Sequence, residues 1–144
     1  MRHSFPSPRA ICSALLFGAL ASSLVSLEAD ALPVPSHAWP DPIPTTWALS
    51  PSAYEGWDGS SVVFACPANP YGEDVGQIWG TDLYTDDSAI CVAAVHAGVI
   101  TLEAGGLVAV TLAPGRDHYP ASSRYGVVSG EWGAWGSSFM VSTP

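Results

Sequence analysis

One segment near the middle of the chain, YTDDSAICVAAVHAGVI at residues 84–100, limits the possible folds more than any other. From residue 89 to residue 97 it contains only alanine, valine and isoleucine besides Cys91 and His96, so no polar stripe remains on any side. A helix that is apolar all round must be enclosed by the rest of its domain. The sequence therefore predicts one short, buried central helix.

The residues that flank this segment favour helix ends. Asp86, Asp87 and Ser88 each suit the N-cap, where a side-chain oxygen accepts a free backbone N–H and a negative charge complements the helix dipole. Gly98 suits the left-handed residue that ends a helix. We expect structural roles for all four residues.

Cys91 and His96 are the two residues of the helix that could carry chemistry. They are five positions apart, which places them about 140° apart around the helix. Side chains on a helix meet at spacings of three or four, so this pair cannot act as a nucleophile and its base or as two zinc ligands. We expect His96 to be a structural, hydrogen-bonded core histidine.

Short strands separated by glycine turns are predicted on both sides of the helix. The β-branched and aromatic runs lie at residues 62–65, 77–79, 107–112, 125–129 and 138–142. The run at 107–112 is apolar at nearly every position, and we expect it to be buried on both faces. The predicted fold is α+β, with one central buried α-helix wrapped by short twisted antiparallel strands.

The N-terminal part of the chain has a different character. Residues 1–31 have the order of a secretory signal peptide, with early arginines, an apolar run and a small-x-small site at Ala29–Ala31. An uncleaved membrane anchor is the alternative. Residues 32–53 form a lead with six prolines, which favours an extended conformation. Because the lead contains Trp47, we expect this side chain to pack on the domain that follows, residues 54–144.

The charge of the chain excludes several partners. It has 13 acidic residues against four lysines and arginines, giving a net charge of −9. Nucleic-acid binding requires a dense basic surface, which this composition does not provide. Acidic glycans and anionic lipid surfaces are disfavoured for the same reason.

Two cysteines, Cys66 and Cys91, follow the predicted cleavage site. In a chain destined for an oxidising compartment, a single disulfide is the expected state. It would close a loop of 26 residues and stabilise the fold by about 3.5 kcal/mol in the chain-entropy treatment.

The helix segment also carries a family resemblance. YTDDSAICVAAVHAGVI resembles the signature of LCCL domains, and GWDGSSVVFACP, IWGTDLYTDDS, APGRDHYPASSRYGVVS and WGAWGSSFMV extend the similarity over residues 54–142. The resemblance implies a secreted module whose central helix is wrapped by twisted sheets. One departure from the family pattern concerns the disulfide. Pro70 stands where many animal members have the cysteine that bonds to the helix, so in this chain only Cys66 can bond to Cys91.

The C-terminal half contains the residue types that suit a ligand surface. Arginine forks and aromatic rings together can hold a sugar or a head group, and the predicted ligand-binding residues are Arg116, His118, Tyr119, Arg124, Tyr125, Trp132 and Trp135. The alternatives are a solvated loop in which Tyr119 packs, and tryptophans that belong to the core.

Catalysis and metal binding have weaker support. Asp82, Asp86 and Asp87 offer hard oxygen ligands, but no calcium-loop spacing is present and helix capping accounts for two of them. No GxSxG elbow supports a serine hydrolase. We therefore predict no metal, no cofactor and no enzymatic activity.

Taken together, the sequence predicts a secreted or periplasmic, non-catalytic binding module. Carbohydrate, or the glycan part of an envelope lipid, is the first ligand class that we consider, and the resemblance implies it only loosely. A protein–protein or envelope-structural module is the alternative, in which the lead and exposed tryptophans meet an extracellular partner chain. After cleavage the chain is not expected to be an integral membrane protein.

Overall fold

The computed structural model describes residues 41–144. The predicted signal peptide and the first part of the lead lie outside these residues. The elements that follow are a short 3₁₀ turn at Ser52–Tyr54, one α-helix and eight strands: β1 Ile43–Pro44, β2 Ser61–Cys66, β3 Gly80–Thr81, β4 Leu83–Thr85, α1 Ile90–His96, β5 Gly106–Arg116, β6 Ser123–Arg124, β7 Val127–Val128 and β8 Trp135–Ser142.

Six of the strands form one sheet in the order β1-β2-β5-β8-β4-β3. The pairing of β1 with β2 is parallel and the other pairings are antiparallel. Strands β6 and β7 form a separate hairpin. With one helix and these two sheets, the predicted α+β fold is confirmed.

Helix α1 is enclosed along its whole length. All seven of its residues are buried, including Ala93 and Ala94 with no exposed surface. The helix belongs to one apolar core with Phe64 of β2, Val108 of β5 and Phe139 of β8. The absence of a polar stripe in the sequence thus corresponds to a helix without a solvent-facing side.

The central strand β5 differs from its prediction on one face. Val108, Val110 and Leu112 are buried against the core, but Leu107 is 49% exposed. The expectation of burial on both faces is therefore wrong at Leu107. In an antiparallel sheet one face can remain open to solvent, and apolar residues on that face are not diagnostic of a second covering layer.

The N-terminal end of the helix also differs from its prediction. Ala89 is the N-cap residue, and none of the side chains of Asp86, Asp87 and Ser88 accepts a capping hydrogen bond. Instead the backbone N–H groups of Ala89 and Ile90 donate to carbonyl oxygens of residues 77 and 49, each at 2.9 Å. Neighbouring segments thus satisfy two of the first four N–H groups at this end of the helix.

The three residues expected to cap the helix hold other parts of the domain together. The Oγ of Ser88 accepts the backbone N–H of Trp79 at 2.9 Å. Asp87 accepts a hydrogen bond from Thr85, and Asp86 accepts one from the indole N–H of Trp135 at 2.6 Å. The side-chain cap that the sequence predicted is therefore wrong, and each of these side chains bonds elsewhere in the domain.

Two predicted strands take different forms. Residues 77–79 contribute only an isolated bridge between Trp79 and Gly130. The predicted strand at 125–129 begins with the turn of the β6–β7 hairpin, because Tyr125 and Gly126 adopt φ of 48° and 80°. Positive φ at both central residues is the requirement of a two-residue hairpin turn with the right twist.

The second part of the proline-rich lead belongs to the domain. Ile43 and Pro44 pair in parallel with Phe64 and Ala65 of β2. Trp47 is 5% exposed, as expected, and its indole N–H donates to the carbonyl oxygen of Pro67 at 3.1 Å. The folded domain therefore begins before residue 54.

A disulfide joins the end of β2 to the central helix. The Cα atoms of Cys66 and Cys91 lie 5.7 Å apart and their sulfurs are bonded. The predicted pairing is confirmed, so Cys66 reaches the helix although Pro70 stands at the position that many family members use. Within residues 41–144 no helix has the length and apolarity to cross a membrane.

Candidate functional site

Two of the predicted ligand-binding residues lie side by side at one end of the large sheet. Arg116 of β5 and Trp135 of β8 are register partners. Together with Asp117, Ala134 and Gly136 they line an open depression of about 530 Å³. Trp135 is half-buried and its indole N–H is bound to Asp86. This depression offers one guanidinium and the edge of one aromatic ring.

Tyr119 cannot contribute to a ligand surface. Its side chain is 1% exposed. Its hydroxyl accepts the backbone N–H of Arg116 at 2.9 Å and lies 2.6 Å from the Oγ of Ser138. Since the Ser138 hydroxyl donates to the carbonyl of Pro114, the Tyr119 O–H donates to Ser138. The predicted ligand-binding role is wrong, and Tyr119 instead ties its loop to β5 and β8.

Arg124 and Tyr125 belong to a different part of the surface, the β6–β7 hairpin. The guanidinium of Arg124 forms a forked ion pair with Asp82, with N–O distances of 2.5 and 3.3 Å. The hydrogen bond that Arg124 donates to this carboxylate raises the pKa of Arg124. Tyr125 is 74% exposed, and its ring lies over Gly98 at the end of the helix. The residues predicted to form one site are therefore divided between two.

The tryptophans of the C-terminal half pack on one another. The ring centroids of Trp79 and Trp132 are 5.1 Å apart, and Trp132 meets Trp135 edge to face at 6.2 Å. Trp132 keeps 42% of its surface exposed. His118 is also exposed. Trp132 is thus the tryptophan of this cluster that best suits stacking with a ligand, because Trp135 is held by Asp86.

His96 is completely buried at the C-terminal end of the helix. Its Nδ1 lies 2.9 Å from the hydroxyl of Tyr84, and its Nε2 lies 3.1 Å from the Oγ of Ser122. The hydroxyl of Thr81 donates to a carbonyl, so the Ser122 hydroxyl donates to Thr81 and Nε2–H of His96 donates to Ser122. Both ring nitrogens are satisfied within the fold, which is the arrangement of a structural histidine.

A feature that the sequence did not reveal lies beside two valines of the helix. Val92 and Val95 form the floor of a cavity of about 520 Å³. Its two walls are residues 75–79 and residues 126–130. A second cavity of about 590 Å³ continues from it past Val95 to residues 98–103 and Tyr125. We call these two adjoining cavities the apolar groove.

Among residues 41–144, none of those that line the first cavity has an ionisable side chain. Its side chains are aliphatic or indole except for Gln77 and Ser129, and the Ser129 hydroxyl is engaged with the backbone of Ser122. The second cavity is lined by one carboxylate from the described part of the chain, that of Glu103. The side chains that line the first cavity offer no general base, but they exclude water from an apolar group. Within residues 41–144 no three histidine, cysteine or acidic side chains come together as a metal site.

The groove has no local sequence signature, since three separate segments form it. Its floor comes from the helix, one wall from the segment before β3 and the other from the β6–β7 hairpin. The one hint in the sequence is that Val92 and Val95 are one turn apart on a helix with no polar side. A helix enclosed by extended segments, rather than by a continuous sheet, leaves gaps between those segments.

Comparison with known proteins gives matches over most of the described residues. The family model of the LCCL domain matches residues 45–139 of this sequence. Cochlin of Cavia porcellus is 40% identical over 76 residues, which are 53% of this chain and 14% of that protein. Cysteine-rich secretory protein LCCL domain-containing 2 of Homo sapiens is 44% identical over 66 residues, 44% of this chain and 13% of that protein. Vitrin of Homo sapiens is 39% identical over 64 residues, 44% of this chain and 9% of that protein. The chain thus spans a small part of each of these relatives.

Proposed function

The chain belongs to the LCCL domain family, and from this premise we propose that it is a non-catalytic, extracytoplasmic binding module whose ligand places an apolar group in the groove. The observation that carries the proposal is the first cavity. It has the volume of a ligand site, and the described residues that line it are mostly apolar and include no ionisable side chain. Such a site holds a ligand by burial of apolar surface and performs no acid–base or nucleophilic chemistry.

The extracytoplasmic location is supported by two independent features. The N-terminal 31 residues have the order of a secretory signal, and a disulfide links Cys66 to Cys91. Mass spectrometry of exported protein tests this part of the proposal. The expected species begins at Leu32, whereas a species that retains Cys12 would contradict it.

Binding of a neutral, environment-sensitive dye such as Nile red tests whether the groove accepts apolar groups. We expect the dye to bind, and Val75→Glu, in the wall of the groove, to weaken binding by about tenfold because it places a charge against an apolar ligand. Leu107→Glu is the matched control, since Leu107 is 49% and Val75 46% exposed and Leu107 lies on β5 away from the groove. Equal loss in both variants, or loss in neither, would contradict the proposal.

Val92→Phe provides a second variant for the same measurement. It changes no charge and fills part of the cavity from its floor. Circular dichroism and a thermal melt establish that the variant is folded. A folded Val92→Phe protein that binds the dye as tightly as the parent would show that the dye lies elsewhere.

A glycan ligand is the second candidate, and the exposed ring of Trp132 beside the Arg116 depression favours it. A sugar ring stacks on an indole face while its hydroxyls accept from a guanidinium. An array of neutral glycans tests this candidate with Trp132→Ala and Arg116→Ala. The control is Trp57→Ala, because Trp57 is 58% exposed and far from this cluster in sequence. If Trp57→Ala reduces glycan binding and neither Trp132→Ala nor Arg116→Ala does, the glycan does not bind at this cluster.

A further inference from the structure

The two walls of the apolar groove are extended segments that meet at one end. Gly130 donates its N–H to the carbonyl of Ile78 and accepts the N–H of Gly80, at 2.8 and 3.0 Å. These two bonds form a parallel bridge between Trp79 and Gly130. A continued parallel ladder would place residue 77 opposite residue 128.

The ladder does not continue, because the first wall is held by other partners. The N–H of Gly76 donates to the carbonyl of Trp47, and the carbonyl of Gln77 accepts the N–H of Ala89, both at 2.9 Å. These bonds draw residues 76–77 toward the N-terminal lead and the start of the helix. The cavity over Val92 and Val95 lies in the gap that results.

The second wall presents to this gap a strand edge with which no segment of residues 41–144 pairs. Arg124 and Val127 close the two-residue hairpin turn, and Ser129 donates its N–H to the carbonyl of Ser122 at 2.9 Å. Hydrogen-bonded and non-hydrogen-bonded pairs alternate along an antiparallel ladder. Val128 is therefore in a non-hydrogen-bonded pair with Ser123, and its N–H and C=O point away from β6. The N–H and C=O of Val128 point to the same side of the strand as the N–H and C=O of Gly130. That side faces the first wall.

From this geometry we infer that the groove binds an extended peptide segment, which pairs with the outer edge of β7 and inserts an apolar side chain into the cavity over Val92 and Val95. This inference rests on the proposed function and names its ligand. A lipid chain in the same cavity would cover the N–H and C=O of Val128 without a hydrogen-bonding partner, at a cost in free energy. A peptide strand supplies both partners, which is the principle of strand addition at a sheet edge.

The charge of the domain defines the chemistry of the peptide. Asp74 adjoins one wall, Glu131 adjoins the other and Glu103 lines the second cavity. The one arginine of the hairpin, Arg124, is neutralised by Asp82. A peptide with lysine or arginine beside its apolar residues complements this rim, whereas an acidic peptide is repelled.

A peptide titration of the ¹⁵N-labelled mature protein, residues 32–144, monitored by NMR, tests the inference. The probe is a short synthetic peptide of alternating valine and threonine with a lysine at each end. Two further peptides carry N-methyl groups, one on the valine amides and the other on the threonine amides. Because alternate amides of a strand face opposite edges, only one of these sets can donate to β7.

We expect the Val128 amide to shift on binding and the two methylated peptides to differ in affinity by about tenfold. Replacing the terminal lysines with glutamates is expected to weaken binding. Equal affinities of the two methylated peptides, or a bound peptide that leaves the Val128 amide unchanged, would overturn the inference.

The dye experiment separates failure of this inference from failure of the proposed function. If the dye binds in the groove and no peptide does, the peptide inference is wrong and the apolar binding site stands. If neither binds, both are wrong.

Hydrogen exchange tests whether the edge is already occupied. If the Val128 amide is protected from exchange before any peptide is added, another segment already pairs with it. Protection that disappears on dilution identifies a second copy, protection that persists identifies a segment of the same chain, and either result overturns the inference.

Discussion

The phenolic oxygen of Tyr84 lies 2.9 Å from Nδ1 of His96, and neither side chain has exposed surface. Burial raises the pKa of Tyr84 to about 12, so the phenol keeps its proton at neutral pH. Since Nε2–H of His96 donates to Ser122, the neutral imidazole accepts the Tyr84 O–H at Nδ1. This bond joins β4 to the C-terminal end of the helix.

The variant Tyr84→Phe tests this bond. It leaves Nδ1 of His96 buried without a donor, and we expect a loss of about 1–3 kcal/mol in the free energy of unfolding. Urea denaturation measures the loss. Tyr125→Phe is the control, because its side chain is 74% exposed, and it should change stability by less than about 0.5 kcal/mol. Equal stability of Tyr84→Phe and the parent would contradict the assignment.

His96 makes the stability of the domain depend on pH. Burial is the main cause that lowers its pKa from the ordinary value of 6.5, and the charge of Arg124 acts in the same direction. The bond to Ser122 and the charge of Asp82 oppose this shift. Below pH 6.5 the unfolded chain therefore takes up a proton at His96 that the folded domain resists.

We accordingly expect the free energy of unfolding to be constant above about pH 7 and to fall as the pH is lowered toward about 5. Thermal melts across this range measure the slope. His96→Gln should be less stable near pH 7 and should have a smaller slope. If His96→Gln keeps the parent's slope, His96 is not the source of the pH dependence.

The Cys66–Cys91 disulfide is expected to provide a large part of the stability. The bonded residues are 25 positions apart, and closing a loop of this length stabilises a fold by about 3.5 kcal/mol in the chain-entropy treatment. The double variant Cys66→Ala with Cys91→Ala should lose a similar amount, as measured by denaturant unfolding. The parent treated with reductant under the same conditions should approach the variant. A reduced parent as stable as the oxidised one would contradict this expectation.

The parts of the fold that the sequence predicted are those with local patterns. The buried helix follows from nine successive positions without a charged side chain, and β2, β5 and β8 follow from β-branched and aromatic runs. The N-cap prediction was wrong: Ala89 is the N-cap residue, and carbonyl groups of Leu49 and Gln77, distant in sequence, accept the N–H groups of Ala89 and Ile90. Propensity alone does not report such a tertiary partner.

The candidate site was less predictable for the same reason. The sequence shows that two arginines and several aromatic residues follow residue 115. It does not show that the Tyr119 hydroxyl is bound to Ser138 or that Arg124 is paired with Asp82, 42 positions away. The groove depends on where three segments diverge, which is a property of the assembled domain. The residue types indicated which chemistry the chain could offer. Which of those side chains are exposed to a ligand depends on the contacts that the fold makes.

The end of the helix provides a last test, because backbone conformation and packing both require glycine at position 98. Gly98 adopts φ of 76° and donates its N–H to Val95, while the N–H of Val99 donates to Ala94, so the last turn is closed. A β-carbon at Gly98 would lie 2.8 Å from the ring of Tyr125. We expect Gly98→Ala to lower the free energy of unfolding by about 1–2 kcal/mol, since alanine is strained at positive φ.

The Tyr125 ring, which borders the second cavity of the groove, must also move in this variant. Gly98→Ala is therefore expected to alter dye binding at a temperature where the domain is still fully folded. Gly133→Ala is the matched control, because a β-carbon at Gly133 meets nothing within 4 Å and its φ lies outside the left-handed region. Urea denaturation and dye titration of the two variants decide the question. If Gly98→Ala and Gly133→Ala are equally stable, the left-handed end of the helix is not a constraint on this fold.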